Sequence, residues 1–205
     1  MNELPERRRA RVLPEKPLRS AVGMLGFLVV LWAIELVDLL LPALALDGAG
    51  IEPRDVDGLD GILWAPLLHF GFGHLIANSV PLFVLGWLLL SGGVRQFLGV
   101  TAVVWLVAGV GTWLVADGGT THAGASGVVF GWMVFLLLRG FVQRSAGQIV
   151  VALVLFFYWG GMLWGVLPGQ PNVSWEGHLF GALGGLLAAL LLARRSRPRS
   201  GRLNG

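Results

Sequence analysis

The sequence predicts an all-α membrane protein with six spanning helices, on three observations. Hydrophobic residues make up 55% of the 205-residue chain and charged residues only 13%, about half the charged share of a typical soluble domain; the mean hydropathy is +0.74. Six apolar segments come close to the ~20 residues that a helix needs to cross a bilayer. The basic residues gather at both ends of the chain and in loops that would share one side.

The expected spans are residues 21–46, 75–90, 97–116, 126–138, 149–166 and 178–193. The second, fourth and sixth are short, which a membrane protein tolerates where a helix is surrounded by protein or ends in a water-filled recess. The expected organisation is a six-span domain over residues 21–193, with a basic cytosolic tail over 1–20 and another over 194–205.

The distribution of charge predicts the topology. If the N-terminus is cytosolic and the spans alternate, fourteen of the fifteen lysines and arginines fall inside and only Arg54 falls outside. This excess is the positive-inside pattern, so both termini are expected in the cytosol. The plasma membrane is the expected location. The basic tails would face the anionic lipids of the bilayer. They carry no interleaved aromatic residues that would indicate nucleic-acid binding.

Two features of the first span leave alternatives. Its basic flank and the Ala43-Leu44-Ala45 segment resemble a signal peptide, but the apolar stretch is longer than a signal-peptide core and contains two acids. Glu35 and Asp38 lie three residues apart, on one helix face. They would line a proton or ion path or, as we favour because no other span carries an acid, hydrogen-bond the first outer loop.

A polar motif opens each of the three short spans. These are His69-Phe-Gly-Phe-Gly-His74-Leu-Ile-Ala-Asn78, Gly124-Ala125-Ser126-Gly127 and Gly177-His178-Leu-Phe-Gly181. Each alone is weak evidence, since glycine supplies 31 of the 205 residues. A helix rises ~1.5 Å per residue. The inner ends of the three spans are expected at Gly92, Arg139 and Arg194. Asn78, Ser126 and His178, respectively, would then lie ~20–24 Å above those ends. All three would then lie ~6–10 Å below the outer surface of a ~30 Å hydrocarbon core.

Small residues predict close packing of the fourth span on the sixth. Glycines at intervals of four let two helix backbones approach. They occur at Gly127 and Gly131 and again at Gly177, Gly181 and Gly185. This packing would bring the Ser126 hydroxyl within reach of the His178 imidazole.

These residue types suit acyl-transfer chemistry. A serine hydroxyl needs a base to take its proton, and His178 can do so near neutral pH. The free N–H groups at the start of the Ser126 helix could stabilise an oxyanion, and His74 and Asn78, four apart on one face, could add donors. Because Glu176 is expected in the outer loop, a dyad is favoured over a triad. His122, four residues before the serine, remains a rival base.

On these motifs, which occur in the family's order, the chain resembles the rhomboid family of intramembrane serine proteases from about residue 21 to residue 193. The resemblance implies Ser126 as nucleophile, His178 as general base, and an oxyanion hole formed by the Ser126 N–H, His74 and Asn78. It implies that Phe130 stacks under the imidazole and that His69 braces the first loop. The supporting positions are Gly124, Gly127, Phe130 and Gly181. Many members carry a Trp-Arg pair where this loop has Pro53-Arg54, which leaves the anchoring of the loop open.

The function implied by the resemblance is an endopeptidase that cleaves single-span membrane proteins at or near the outer membrane edge, without metal or cofactor. Substrate would enter past the fifth span, whose aromatic residues would form a gate or pack against neighbours. The alternative is a catalytically silent relative that binds membrane-protein clients. A transporter or channel is disfavoured, because ionisable residues near mid-membrane on several spans are missing from the sequence.

Overall fold

The computed structural model describes residues 11–196 and shows an all-helical bundle. The α-helices are α1 (Pro17–Leu40), α2 (Gly61–Trp64), α3 (Phe72–Leu89), α4 (Val94–Val115), α5 (Ser126–Gln143), α6 (Ala146–Trp159) and α7 (Trp175–Ser196). All but the single-turn α2 belong to segments long and apolar enough to cross a membrane, which confirms the six-span prediction. The outermost parts of the two expected tails lie outside the described residues.

Proline and glycine set several helix ends. α1 begins at Pro17, which suits the first turn because proline has no N–H to leave unpaired. It ends at Leu40, shortly before Pro42. The first span is therefore shifted from the expected 21–46 towards the N-terminus, and Leu46 lies in a 3₁₀ turn of the outer loop. Gly93, at φ 87°, allows the turn between α3 and α4.

The helices differ widely in how much of their surface the bundle covers. α5 is central, with 56% of its span buried, whereas only 11% of the fifth span is buried. α5 packs most extensively on α7, and α7 packs also on α4. The fifth span is α6 followed by a 3₁₀ helix, Gly160–Val166, rather than one continuous α-helix. It is the most peripheral of the six.

Arg139 lies inside the bundle, not at the inner interface where the sequence placed it. α5 continues past the expected end at residue 138 to Gln143. The Arg139 side chain is only 1% exposed and donates a hydrogen bond to the Ser91 hydroxyl at 2.8 Å. The expected depth of Ser126 was therefore counted from an interior residue.

Glycines bring the backbones of α5 and α7 into contact, as the four-residue intervals predicted. A Cβ at Gly181 would overlap the carbonyl oxygen of Gly127, and one at Gly185 would overlap that of Gly131. Neither position tolerates a side chain unless the helices move apart. The contact fixes the height of α7 relative to α5, and with it the height of His178 relative to Ser126.

The acids of α1 tie this helix to the first outer loop. An Asp38 carboxylate oxygen accepts the backbone N–H of Leu46 at 2.8 Å, which confirms the favoured hydrogen-bonding role for this residue. Glu35 is 6% exposed and lies beside the backbone N–H of Gly71, the residue that precedes α3. The two acids therefore contact opposite ends of the loop.

Candidate active site

Ser126 and His178 meet where α5 and α7 begin. Ser126 is the first residue of α5, and His178 lies in the first turn of α7. The Ser126 Oγ atom is 2.9 Å from the His178 Nε2 atom, a hydrogen-bond distance. Two residues that are 52 positions apart in sequence are thus in direct contact because the glycine faces let their helices pack closely.

The His178 ring is held on two further sides. Its Nδ1 atom lies 3.0 Å from the carbonyl oxygen of Gly165, and its face stacks on Phe130 with ring centroids 4.0 Å apart and an interplanar angle of 8°. Because a carbonyl only accepts, Nδ1 carries the proton in the neutral ring, and Nε2 is left to accept the Ser126 O–H. The geometry is that of a serine aligned with a base.

Gly165 is a site residue that the sequence reasoning missed. A Cβ at this position would lie 3.0 Å from both the His178 Nδ1 atom and the Phe130 ring, so a larger residue would crowd the imidazole. The interaction uses a backbone carbonyl, which every residue has. The one available signal was the Gly160-Gly161 and Gly165 spacing at the end of the fifth span.

Glu176 is not in the outer loop, where the sequence placed it. It lies in the first turn of α7 and is 7% exposed. α7 begins three residues before the expected start at 178, because the hydroxyl of Ser174 accepts the N–H of Gly177 at 3.3 Å and caps the helix. Within residues 11–196 the atom that orients the His178 Nδ1–H is the Gly165 carbonyl oxygen rather than a carboxylate.

His74 and Asn78 lie on α3, and His74 contacts the loop that leads into Ser126. The His74 ring packs against Gly124, where a Cβ would lie 2.7 Å from its Nε2 atom. Gly124 also has φ +123°, a conformation that other residues rarely adopt. Asn78 is 5% exposed, and its Nδ2 atom donates to the backbone carbonyl of His74 at 3.0 Å. This bond holds the amide at the upper end of α3.

His69 links the first outer loop to the loop before Ser126. It is 1% exposed, its Nε2 atom is 3.4 Å from the backbone N of Ala125, and its ring meets that of His74 edge-on at 5.1 Å. Burial, and secondly the nearby His74, lower the pKa of His69 to about 4. The ring is therefore neutral at physiological pH and able to accept the Ala125 N–H.

Acidification is expected to destabilise the protein through His69. Its folded-state pKa of about 4 lies below the ordinary value of 6.5, so the folded state binds its proton less readily than the unfolded state. The free energy of unfolding then falls as the pH drops below about 6.5, by up to about 3 kcal/mol near pH 4. Thermal unfolding in detergent at several pH values measures this. The His69→Gln variant, which keeps an acceptor for Ala125, should lose less stability in acid; an unchanged pH dependence would contradict the assignment.

His122, the rival base, is engaged elsewhere. Its Nδ1 atom is 2.7 Å from the Ser174 hydroxyl and its Nε2 atom is 2.8 Å from the Thr120 hydroxyl. Both ring nitrogens are therefore hydrogen-bonded to residues other than Ser126. Among the residues that the structure describes, no group of three histidine, aspartate or glutamate side chains could hold a metal ion.

Comparison with known proteins identifies the family. The model of the Rhomboid domain matches residues 59–195, which include all three polar motifs. An uncharacterized protein of Mycobacterium tuberculosis is 45% identical over 182 residues, covering 85% of this chain and 75% of that protein. One of Mycobacterium leprae is 44% identical over 186 residues (87% and 73%). The Bacillus subtilis protein named "Putative rhomboid protease YdcA" is 30% identical over 135 residues (65% and 67%). By these matches the chain is a multi-pass integral membrane protein and belongs to the rhomboid family.

Proposed function

We propose that this protein is an intramembrane serine endopeptidase in which Ser126 is the nucleophile and His178 the general base. The observation that carries the proposal is the 2.9 Å contact between the Ser126 Oγ and the His178 Nε2 atoms. Family membership supports the same activity. The dyad belongs to the six-span domain, residues 21–193, between the two basic tails.

The proposed reaction begins when His178 takes the Ser126 proton on Nε2 as Oγ attacks the scissile carbonyl carbon. The Gly165 carbonyl keeps the Nδ1–H in place during this transfer. The positive charge that develops on the imidazole lies against the face of Phe130, where the ring quadrupole stabilises a cation. The imidazolium then gives the proton to the departing amine, and water, activated by the same base, hydrolyses the acyl-enzyme.

The oxyanion of the tetrahedral intermediate would be stabilised at the start of α5. The first N–H groups of a helix have no partner four residues earlier and point outwards from its positive end. The N–H of Ser126 is one of these donors. The His74 ring, held against Gly124, and the Asn78 amide add side-chain donors in the proposal.

Replacing Asn78 tests this assignment. We expect Asn78→Ala to lower kcat about 10–1,000-fold, because one oxyanion donor among several is lost, with a much smaller change in KM. Steady-state cleavage of a membrane-embedded substrate measures both constants. Ser79→Ala, which removes the neighbouring hydroxyl on α3, serves as the matched control, since this group bonds to the Leu75 carbonyl and to Trp32. Equal activity of Asn78→Ala and wild type would remove Asn78 from the site.

The substrates proposed are membrane proteins with a single span, cleaved at or near the outer membrane edge. A substrate helix must reach a site enclosed by other helices, and the fifth span is the one that the bundle covers least. Several of its large aromatic side chains are exposed: Phe156, Phe157, Tyr158 and Trp164. Entry past this span follows as the proposed route. The distribution of basic residues supports cytosolic termini, and the plasma membrane is the proposed location.

The experiment that tests the proposal combines a covalent probe with a cleavage assay. Purified protein in proteoliposomes is treated with a fluorophosphonate, and the modified peptide is identified by mass spectrometry. The expected result is modification of Ser126 alone among the serines, together with cleavage of a reconstituted single-span substrate that the probe blocks. Binding of the substrate without cleavage or labelling would indicate a silent relative instead.

A further inference from the structure

A continuous chain of hydrogen bonds joins the loop before Ser126 to the start of α7. The backbone N–H of Gly177 donates to the Ser174 hydroxyl at 3.3 Å. That hydroxyl contacts the His122 Nδ1 atom at 2.7 Å, and the His122 Nε2 atom contacts the Thr120 hydroxyl at 2.8 Å. Thr120 in turn donates to the carbonyl of Asp117 at 2.5 Å. His122 is the central member of this chain.

The proton positions along this chain follow from its two ends. The Asp117 carbonyl takes the Thr120 hydroxyl proton, so the Thr120 oxygen must accept from His122, and Nε2 carries the ring proton. The Nδ1 atom of neutral His122 is then an acceptor for the Ser174 O–H. Ser174 keeps its lone pairs free to accept from Gly177. Every member of the chain is satisfied when the imidazole is neutral.

Ser174 connects this chain to the proposed base. Its hydroxyl caps α7 through Gly177, and its carbonyl oxygen accepts the backbone N–H of His178 at 3.2 Å. His122 is also held in place from the other side, because it pairs with Ile51 in an isolated antiparallel bridge, with N–O distances of 2.8 and 2.9 Å. The first outer loop, the loop before Ser126 and the start of α7 thus converge on one imidazole.

We propose that His122 is a positioning residue, which in its neutral form holds the start of α7, and so His178, in register with Ser126. This inference rests on the proposed function, because positioning matters only if the two residues react together. His122 itself touches neither reacting atom. Its effect passes through the Ser174 cap to the first turn of α7.

Protonation of His122 would break this arrangement. An Nδ1–H would face the Ser174 oxygen, and the Ser174 proton would lose its acceptor. Burial lowers the pKa of His122, while the carboxylates of Glu176 on α7 and Asp117 on its own loop oppose this effect. On the segment paired with it, the residues that contact His122 backbone atoms, Gly50 and Ile51, are uncharged. His122 is therefore neutral and this chain of hydrogen bonds is complete at neutral pH, and the chain is lost only at a pH below the ordinary histidine value.

Two substitutions at one position separate the hydrogen bond from the charge. His122→Ala removes the acceptor, and we expect it to lower kcat/KM about 10–100-fold at pH 7.5, mostly through kcat, because small misplacements of reacting groups are costly. His122→Asn places an amide oxygen near the Nδ1 position and should restore activity to within about threefold. Ser174→Ala should resemble His122→Ala. Ser145→Ala is the matched control, since Ser145 precedes α6 without capping it through its side chain.

The pH profile gives the second readout. His178 titrates in all these proteins, so each loses activity in acid. The wild type should lose it more steeply, because two imidazoles must be neutral, whereas His122→Asn should show a single ionisation on the acid limb. Profiles of the same shape, together with full activity of His122→Ala, would overturn the proposal.

Hydrogen exchange keeps this test independent of catalysis. At one fixed pH, the Gly177 and His178 amides should exchange faster in His122→Ala than in wild type or His122→Asn. If exchange is faster in His122→Ala but Ser126 proves unreactive in the wild type, the positioning role of His122 is supported and the proposed protease function is wrong. If Ser126 reacts and exchange is unchanged, only the role of His122 is wrong.

Discussion

Ser126→Ala is expected to reduce cleavage of a membrane-embedded substrate by about 10³-fold or more and to abolish fluorophosphonate labelling. The Ser126 oxygen forms the bond to the scissile carbon in the proposed reaction, and an alanine methyl cannot replace it. Removal of a nucleophile from a catalytic unit typically has effects of this size or larger. The measurements are kcat/KM in proteoliposomes and in-gel detection of the labelled protein.

The fold should survive this substitution. The lost hydroxyl has His178 as its side-chain partner, and the close approaches of α5 to α7, Gly127 to Gly181 and Gly131 to Gly185, do not involve it. The thermal unfolding temperature in detergent should therefore stay within a few degrees of the wild-type value. Ser79→Ala is the matched control within the membrane, since it removes a hydroxyl from α3. Substantial cleavage by Ser126→Ala would exclude this serine as the nucleophile.

His178→Ala is expected to be nearly as damaging, because it leaves the Ser126 hydroxyl with no base 2.9 Å away. Members of one catalytic unit do not contribute additively. The double variant Ser126→Ala/His178→Ala should therefore be within about threefold of the worse single variant. Initial cleavage rates of the three variants under identical lipid conditions test this prediction.

A structural cost accompanies the loss of His178. Its ring stacks on Phe130, a contact of the kind worth about 0.5–1.5 kcal/mol, so the His178→Ala protein should unfold at a slightly lower temperature. His178→Phe keeps a flat ring over Phe130 and cannot accept a proton. It should recover stability without recovering activity. If His178→Ala retained more than about a tenth of wild-type activity, another group would have to be the base.

The order of these effects follows from where each residue acts. In the proposed mechanism Ser126 and His178 take part in bond making and proton transfer, whereas Asn78 stabilises charge alongside other donors and His122 acts through Ser174. Measured on one substrate, the losses should therefore decrease from the dyad to Asn78 and then to His122. The His69 effect is of another kind, since it appears in the free energy of unfolding and its pH dependence.

The six spans, the close packing of α5 on α7 and the residues of the polar motifs could all be predicted from the sequence. Apolar length marked six spans because a bilayer offers no other partner for backbone groups than the helix itself. Glycines at four-residue intervals predicted the α5–α7 contact, because glycine has no side chain to keep two helix backbones apart and its positions can be read directly from the sequence. The polar motifs singled out Ser126, His178, His74 and Asn78, and the family resemblance added the stacking role of Phe130.

Other interactions join groups that lie far apart in the sequence, and these became known only from the packed bundle. The Gly165 carbonyl orients His178, although nothing in a sequence distinguishes one carbonyl from another. Arg139 is buried against Ser91, while charge counting placed it at the interface. His122 bonds to Ser174, 52 residues away, rather than to Ser126, four residues away. Helical periodicity specifies which face of a helix is apolar, but the partner of each polar atom depends on which loops the packed bundle brings together.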